Sequence, residues 1–450
     1  METNNKSFND EWKMRGGELF TAFRNMILPN PKTGNLEIRN DGENWNTLVK
    51  TIFSVAQGKE NCSFNSSNAA SGLKQIVTWT GGKMKELKYI YPALPSYDRY
   101  FEPFVGGGSV FMGINANEHY INDFSTDLIA LYRFISTSDK LFMELIKDID
   151  TTWKTSRNFC ESHKDFFIKQ ANDFRTGIIS EMEMTKNISS FCKKVKEGVL
   201  AINEPFNDLP CIFLTEIVKF ICKRIKTIKK FNISDSHGII ENIETGVKSA
   251  LFKNFCNLYN NKEIHKTNPQ LHTALFLFLK QMVYSGLFRV NKKGEFNSPY
   301  GGIDKNKKCL IDKFNYYKSS TLINHFKNTH IYNLDFEDFL RETNPTENDF
   351  IFLDPPYDCV FSSYEGNEFN HNDHLRLANY LLNECRAKWM MIISKTDFIY
   401  NLYDRPGVYI HSYRKTYSCN VKNKFERKVT HLMITNYPVS LETETLLRAA

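Results

Sequence analysis

Short, dense apolar runs fill the last third of the chain. Phe350-Ile351-Phe352-Leu353 is the clearest. Four consecutive apolar residues bounded by turn signals read as a buried strand. Further strands are predicted at 330–334, 389–394, 408–412 and 431–435, and two more far upstream at 100–104 and 119–122. Helical patterns at 127–134 and 372–385 alternate with them, which predicts an open α/β sheet.

Between the two strand groups the pattern changes. From about 137 to 267 helical stretches alternate with polar loops. In 217–228, Ile217, Phe220, Ile221, Ile225 and Ile228 form one face, while Lys219, Lys223, Arg224, Lys226, Lys229 and Lys230 crowd the other. That helix either lies along phosphates or shows a solvated lysine-rich face. An apolar helix at 268–282 leads into 284–302. There 287–291 and 294–297 are expected to pair as a hairpin through Lys292-Lys293-Gly294. Its Tyr284, Arg289, Asn291, Lys292, Lys293, Phe296, Asn297 and Tyr300 combine base-edge readers, phosphate contacts and aromatic wedges. A basic surface hairpin is the plainer alternative.

Upstream, 10–27 and 44–56 read as helices, the first ended by Pro29 and Pro31. The stretch 58–72, rich in Ser and Asn, reads as a linker. No chemical motif lies there. His371 and His374 share a helical face without a Cys or carboxylate cluster beside them and read as surface residues, so no metal site is expected.

Candidate chemistry sits at the strand ends. Strand 350–353 runs into Asp354-Pro355-Pro356-Tyr357. Each proline locks φ and lacks an N–H, so the Pro355 carbonyl is held in place. A carboxylate, a carbonyl and an aromatic ring suit a planar ring bearing an NH₂ group, such as an adenine or cytosine turned out of its helix. Strand 100–104 runs into Gly106-Gly107-Gly108 and then a helix, and strand 119–122 into Asp123. A glycine-rich turn followed about 20 residues on by an acid is the pattern for a nucleoside cofactor and its ribose. Trp79-Thr80-Gly81-Gly82-Lys83 adds glycines opening a helix, where backbone can approach a carboxylate. A plain turn is the alternative at each place.

Composition narrows the classes. In 450 residues Lys plus Arg number 58 and Asp plus Glu 51, a net charge of +7 with many Phe and Tyr, which suits a nucleic-acid partner. The ten cysteines form no CxxC pair. The N-terminus is polar and no apolar run would span a bilayer, so a reduced, cytoplasmic protein is expected.

Taken together, the motifs resemble the DNA adenine-N6 methyltransferases of the Dam family, over about 77–437. The resemblance rests on Trp79-Thr80-Gly81-Gly82-Lys83, Phe101-Glu102-Pro103-Phe104-Val105-Gly106-Gly107-Gly108, Asp123 with Asp127-Leu128-Ile129, Gly294-Glu295-Phe296-Asn297-Ser298-Pro299-Tyr300-Gly301, and Asp354-Pro355-Pro356-Tyr357, in the family's order. It implies a Rossmann-like sheet that binds S-adenosyl-L-methionine, with an inserted, mainly helical target-recognition domain and β-hairpin. Trp79 and Lys83 would face the cofactor's methionine end. Glu102, Phe104, Gly106 and Gly108 would line its cradle. Asp123 would hold its ribose, and Asp335 and Phe336 would meet its adenine. Asp354 would lie between cofactor and target base. Tyr284, Ser285, Leu287, Arg289, Asn291, Asn297 and Pro299 would face double-stranded DNA.

Three positions depart from the family pattern: Ser125 and Ser285 stand for Asn, and Gly302 for an Arg of GATC-reading relatives. The last two fall on the DNA side and leave the target sequence open. The implied organisation is an extension at 1–72, catalytic parts at 73–136 and 303–450, and target recognition at 137–302. A cognate restriction enzyme is a possible functional partner. The rival readings are an N4-cytosine methyltransferase, which usually carries Ser before Pro-Pro, and an inactive DNA-binding member.

Overall fold

The computed structural model describes residues 72–202, 206, 210–286, 288–291, 293–358, 369–416, 428–440, 443 and 447, and two short strands, Ile27–Pro29 (β1) and Leu36–Ile38 (β2). Residues 1–65 and 66–450 form separate compact units. In the first, β1 and β2 pair antiparallel with Ile27 opposite Ile38. Ile27 therefore opens a strand rather than closing a helix. The rest of the helices expected at 10–27 and 44–56 lies outside the described residues.

The second unit is built on a seven-stranded sheet. Its strands are Arg99–Glu102 (β3), Glu118–Asn122 (β4), Thr329–Tyr332 (β5), Phe350–Leu353 (β6), Lys388–Ser394 (β7), Tyr409–Thr416 (β8) and Lys428–Thr435 (β9), in the order β5-β4-β3-β6-β7-β9-β8. The first five are parallel. The pair β8–β9 joins as an antiparallel hairpin against β7. This is the Rossmann-like arrangement that the sequence predicts. Residue alternation divides the core. Phe350 and Phe352 pack on one face with the helices of the insertion. Ile351 and Leu353 pack on the other, with Phe339, Leu377 and Tyr403.

The insertion between β4 and β5 is helical. Thr126–Ser136 (α1) leads into Lys140–Ser162 (α2), Lys164–Thr176 (α3), Glu181–Lys194 (α4), Lys196–Ala201 (α5), Pro210–Lys230 (α6), Ser236–Asn260 (α7) and Pro269–Met282 (α8). Ile217, Ile221, Ile225 and Ile228 of α6 are fully buried. A Cβ at Gly246 of α7 would stand 3.0 Å from the Ile221 Cα, so glycine permits this close crossing. Among the described residues no helix is long and apolar enough to cross a membrane.

Three local expectations need correction. The glycine-rich turn after β3 leads to a single 3₁₀ turn, Phe111–Gly113, not a helix. Gly106 and Gly108 hold positive φ, which breaks helical hydrogen bonding. The helix after Lys83 starts late, at Leu87–Ile90, because 84–86 form a turn in which the Glu86 N–H donates to Lys83 O at 2.8 Å. His374 is not a surface residue. It is 1 % exposed, against the edge of Phe369, and burial lowers its pKa to about 4.

Ile351 lies beside Phe101 of β3 and Trp389 of β7, fully buried. Ile351→Ala should lower stability by about 2–5 kcal/mol. Equilibrium urea unfolding followed by circular dichroism checks it. A loss under about 1 kcal/mol would show that this face of the sheet is not close-packed.

Candidate active site

Chain connections run outward from the middle of the sheet, β3 to β4 to β5 on one side and β6 to β7 on the other. Open α/β sheets bind ligands where the strand order reverses, outside the carboxyl ends of the strands. Here the reversal lies between β3 and β6, and a cavity of about 350 Å³ opens there. It is lined by Trp79, Lys83, Glu102, Phe104, Gly106, Asp123, Asp335, Phe336, Asp354, Pro355, Pro356 and Tyr357. Residues from 79 to 357 thus meet in one place.

Its floor is the glycine turn. A Cβ on Gly107 would stand 2.2 Å from the Val77 carbonyl oxygen, and one on Gly108 2.6 Å from the Tyr132 hydroxyl. The segment before Trp79 lies directly on the turn, with Ile76 N–H donating to Gly107 O at 3.0 Å. Asp123 braces it from the other side. Its carboxylate accepts from the Gly106 and Ser125 amides, both at 2.9 Å. Gly108 therefore shapes the cradle from beneath rather than lining it.

Three carboxyl groups crowd this space. Burial raises Glu102 well above the usual range, despite the Tyr100 hydroxyl donating to it at 2.7 Å; Asp354 and Asp123 push it further up. Burial lifts Asp123 to about 6, against the amides of Ser125 and Gly106. Burial also raises Asp354, against the charge of Lys83.

Lys83 is 1 % exposed. Its ammonium donates to Gly81 O at 2.9 Å, to the Tyr357 hydroxyl at 3.0 Å, and to Asp354 Oδ1. The two prolines that follow Asp354 carry Tyr357 to this contact. Behind Lys83 lies a group that no sequence motif marks. The buried Glu86 accepts from Tyr413 at 2.6 Å and Lys415 at 2.5 Å, with His431 Nδ1 at 3.0 Å. Burial alone would raise Glu86. The His431 contact and the charges of Lys83 and Lys415 outweigh it and hold its pKa at about 2. The ring of Tyr357 meets His431 at 5.3 Å, nearly perpendicular.

At the far end, Asp335 caps Phe336–Thr343 (α9) by accepting from Glu337 N at 3.0 Å, and it accepts from Arg376 at 2.6 Å. The Arg376 guanidinium lies 4.8 Å from the Phe336 ring centre, and Phe104 and Phe369 complete an aromatic wall. Asn122, also unmarked by any motif, ties the strand ends together. Its amide donates to Pro103 O and Leu334 O at 3.0 Å and accepts from Leu334 N at 2.8 Å. Asp127 is not at the cavity. It accepts from Tyr259 and meets His272 Nε2 at 3.1 Å, linking α1 to α7 and α8.

The hairpin forms, narrowly. Val290 bridges to Phe296 and Val283 to Tyr300, and Asn297 N–H donates to Arg289 O at 2.8 Å. Tyr284, Arg289, Asn297 and Pro299 are exposed. Asn291 instead closes the turn, accepting from Lys293 and Glu295 amides and donating to the Glu295 carboxylate. Phe296 and Tyr300 are not wedges; both pack inward, Phe296 on Phe288 and Tyr300 on Trp153. Leu287, Lys292 and the Ser285 side chain lie outside the described residues.

A sheet of this order, with a glycine cradle at its switch point, has the architecture of a Rossmann-like methyltransferase. The family model for D12 class N6 adenine-specific DNA methyltransferases matches residues 79–233 and 213–419. The chain belongs to that family, and the reaction is methylation of adenine N6 in DNA. Similar proteins include the type II methyltransferase M.MjaIII of Methanocaldococcus jannaschii, 27 % identical over 81 % of this chain and 99 % of its own. The type II methyltransferase M.CviBI of Paramecium bursaria Chlorella virus NC1A is 25 % identical over 81 % of this chain and 100 % of its own. A DNA adenine methylase of Serratia marcescens is 22 % identical over 80 % and 97 %.

The Glu86 group generates a test. A carboxyl depressed from 4.5 to about 2 stabilises the fold above its unfolded pKa. That stability is lost as pH falls from about 4.5 toward 2. Glu86→Gln should therefore be less stable at pH 7 and show a flatter acid limb in that window. Urea midpoints from pH 2 to 7 measure both, and parallel curves for the two proteins would refute the assignment.

Proposed function

We propose that this enzyme takes its methyl group from S-adenosyl-L-methionine, flips adenine out of a specific site in double-stranded DNA, and methylates it in the cavity between β3 and β6. The observation that carries this reading is that Asp354, Pro355 and Tyr357 line the same cavity as the glycine cradle and Asp123. An amine acceptor and a nucleoside site so placed bring two reactants together. The residues fit the cofactor. The cradle excludes any Cβ, Asp123 can accept from ribose hydroxyls, and the Phe104–Phe336 wall suits an adenine face. Bound there, S-adenosyl-L-methionine supplies an electrophilic methyl on a sulfonium that leaves as a neutral thioether.

The chain's own residues do the rest. Adenine N6 is a poor nucleophile, because its lone pair is conjugated with the ring. Asp354 and the Pro355 carbonyl accept its two hydrogens and draw the nitrogen toward tetrahedral geometry. Its lone pair forms the new N–C bond, and one N6 proton is then lost. The raised pKa of Asp354 suits it to receive that proton. Tyr357 stacks on the base, a contact worth about 1–3 kcal/mol in such sites. Alignment of this kind can supply roughly 7–11 kcal/mol without a covalent enzyme intermediate. No metal enters the scheme.

In this reading 73–136 and 303–450 carry cofactor and chemistry, and 137–302 recognises the target. A cognate restriction enzyme as functional partner and a cytoplasmic place of action belong to the same proposal.

Methylation of plasmid DNA by the purified enzyme, read at single-nucleotide resolution, tests the whole. Asp354→Asn should lose at least nine-tenths of the rate while still binding DNA; a variant above that level would sink the role of Asp354. Asp123 yields a pH signature. If its ionised form accepts the ribose, cofactor affinity falls as pH drops through about 6, by up to about tenfold per unit. Asp123→Asn should bind more weakly and lose that inflection in calorimetric titration. On the DNA side, the exposed Arg289 is the candidate reader of a guanine edge, a contact worth about 1–3 kcal/mol of discrimination. Arg289→Ala should relax site choice, whereas Lys223→Ala with Lys229→Ala should weaken all sites alike. Methylation profiles over a randomised library separate the two, and a uniform loss with Arg289→Ala would take base reading away from the hairpin.

A further inference from the structure

We infer that Arg376 sets the preference of the cofactor end of the cavity for adenine, by holding Asp335 as the acceptor for the purine amino group and Phe336 as the face against the ring. The inference rests on the reading of the cavity as the cofactor site. Arg376 belongs to no sequence motif. It comes from His371–Asn379 (α10), the helix that follows the Asp-Pro-Pro-Tyr turn in the chain. Asp335, Phe336 and Asp373 line the cavity together.

Three carboxylates, Asp335, Glu337 and Asp373, crowd around one guanidinium. Arg376 Nη2 donates to Asp335 Oδ1 at 2.6 Å, Nε to Glu337 Oε2 at 2.8 Å and Nη1 to Asp373 Oδ1 at 3.0 Å. A rigid planar fork of N–H donors meets three acids at fixed angles, which a single ammonium on a flexible stem does not. The Arg376 side chain is 41 % exposed. Charge attraction is screened there, so the geometry of the fork matters more than its charge. The same guanidinium lies over the Phe336 ring, 4.8 Å from its centre, and a cation is attracted to that face. One side chain therefore fixes both the acid and the neighbouring ring.

Asp335 keeps an acceptor position in hand. Its Oδ1 takes Arg376 and the Glu337 amide, the latter at 3.0 Å. Its Oδ2 meets Arg376 Nη1 at 3.4 Å, its one hydrogen bond among the described residues. A carboxylate has about four lone-pair sites, so Oδ2 has room for a donor from the ligand. Adenine carries an NH₂ group at C6, where hypoxanthine carries a carbonyl. A carboxylate held beside an aromatic face accepts from the first and repels the second. A site built around a hydrogen bond rejects the ligand that cannot make it far more sharply than an apolar pocket rejects a change of size. Arg376 acts through Asp335 and Phe336 and is a positioning residue.

The test compares two ligands in the absence of DNA. S-adenosylhomocysteine carries adenine; S-inosylhomocysteine carries hypoxanthine on the same ribose and thioether. In calorimetric titration the wild type should favour S-adenosylhomocysteine by at least about tenfold. Arg376→Ala should narrow that ratio by about fivefold or more, the scale of one hydrogen bond. Arg376→Lys keeps a charge without the fork and should narrow it almost as far. Equal losses for both ligands would make Arg376 a support of the pocket wall and overturn the inference. A ratio unchanged in Arg376→Ala, or fully restored by Arg376→Lys, would overturn it as well. So would a wild type that binds both ligands alike. Should Arg376→Ala not fold, Arg376→Gln carries the same comparison. Failure of the wild type to bind S-adenosylhomocysteine is a separate result, which would remove the cofactor reading itself.

Discussion

The ammonium of Lys83 and the carboxylate of Asp354 meet in a site closed to most of the solvent. Removing two ions from water is costly, and the attraction between them repays that cost only when their other hydrogen-bonding positions are filled. Much of the architecture around the cavity answers that requirement. Gly81 and Tyr357 fill the remaining positions on Lys83. Asp354 can stand at its post because β6 is buried on both faces and two prolines follow. The pairing also joins segments 271 residues apart, so this geometry exists only once the parallel sheet has formed.

A second charge layer lies beneath the first. Glu86 draws in Lys415, His431 and Tyr413 from the β8–β9 hairpin. That antiparallel pair could otherwise be taken as a mere edge of the sheet. Its inward ends instead supply the counter-charges that let Glu86 remain ionised beside Lys83, and His431 sets its ring against Tyr357. The surroundings of Asp354 at the end of β6 therefore depend on the last two strands of the sheet.

How far such a site can be read from the chain depends on whether its parts are local. Asp354-Pro355-Pro356-Tyr357 and the triple glycine are legible because strand, turn and functional group are consecutive. The strand positions follow from apolar runs for the same reason. Glu86, Tyr413, Lys415 and His431 are not legible, since their meeting spans 327 residues or more and no spacing along the chain records it. Arg376 over Phe336 and Asn122 between three strand ends escape for the same cause. The hairpin shows the opposite error. Phe296 and Tyr300 are aromatic in a basic segment and read as wedges, yet Phe288 of the same segment and Phe252 and Trp153 of the helical insertion pack against them. A hydrophobic face finds its partner from anywhere in the fold, and only the fold says which one.

The proposed division between positioning by α6 and base reading by the hairpin rests on how each charged side chain is held. On α6, Lys226 pairs with Glu181 and Lys219 with Glu216, and Arg224 turns inward to Asn242. Lys223, Lys229 and Lys230 are exposed, the last two over the rings of Phe174 and Phe231. Such groups follow a phosphate backbone but cannot hold a fixed angle to a base edge. Arg289 differs because its backbone is pinned: its amide donates to Ser298 Oγ at 2.9 Å and its carbonyl accepts from Asn297. Asn291 spends its amide on closing the turn beyond it. A guanidinium on a fixed backbone can present its planar fork to a guanine in one orientation. Under the proposed role of Arg289, the residues that stiffen the hairpin are as necessary to base reading as Arg289 itself.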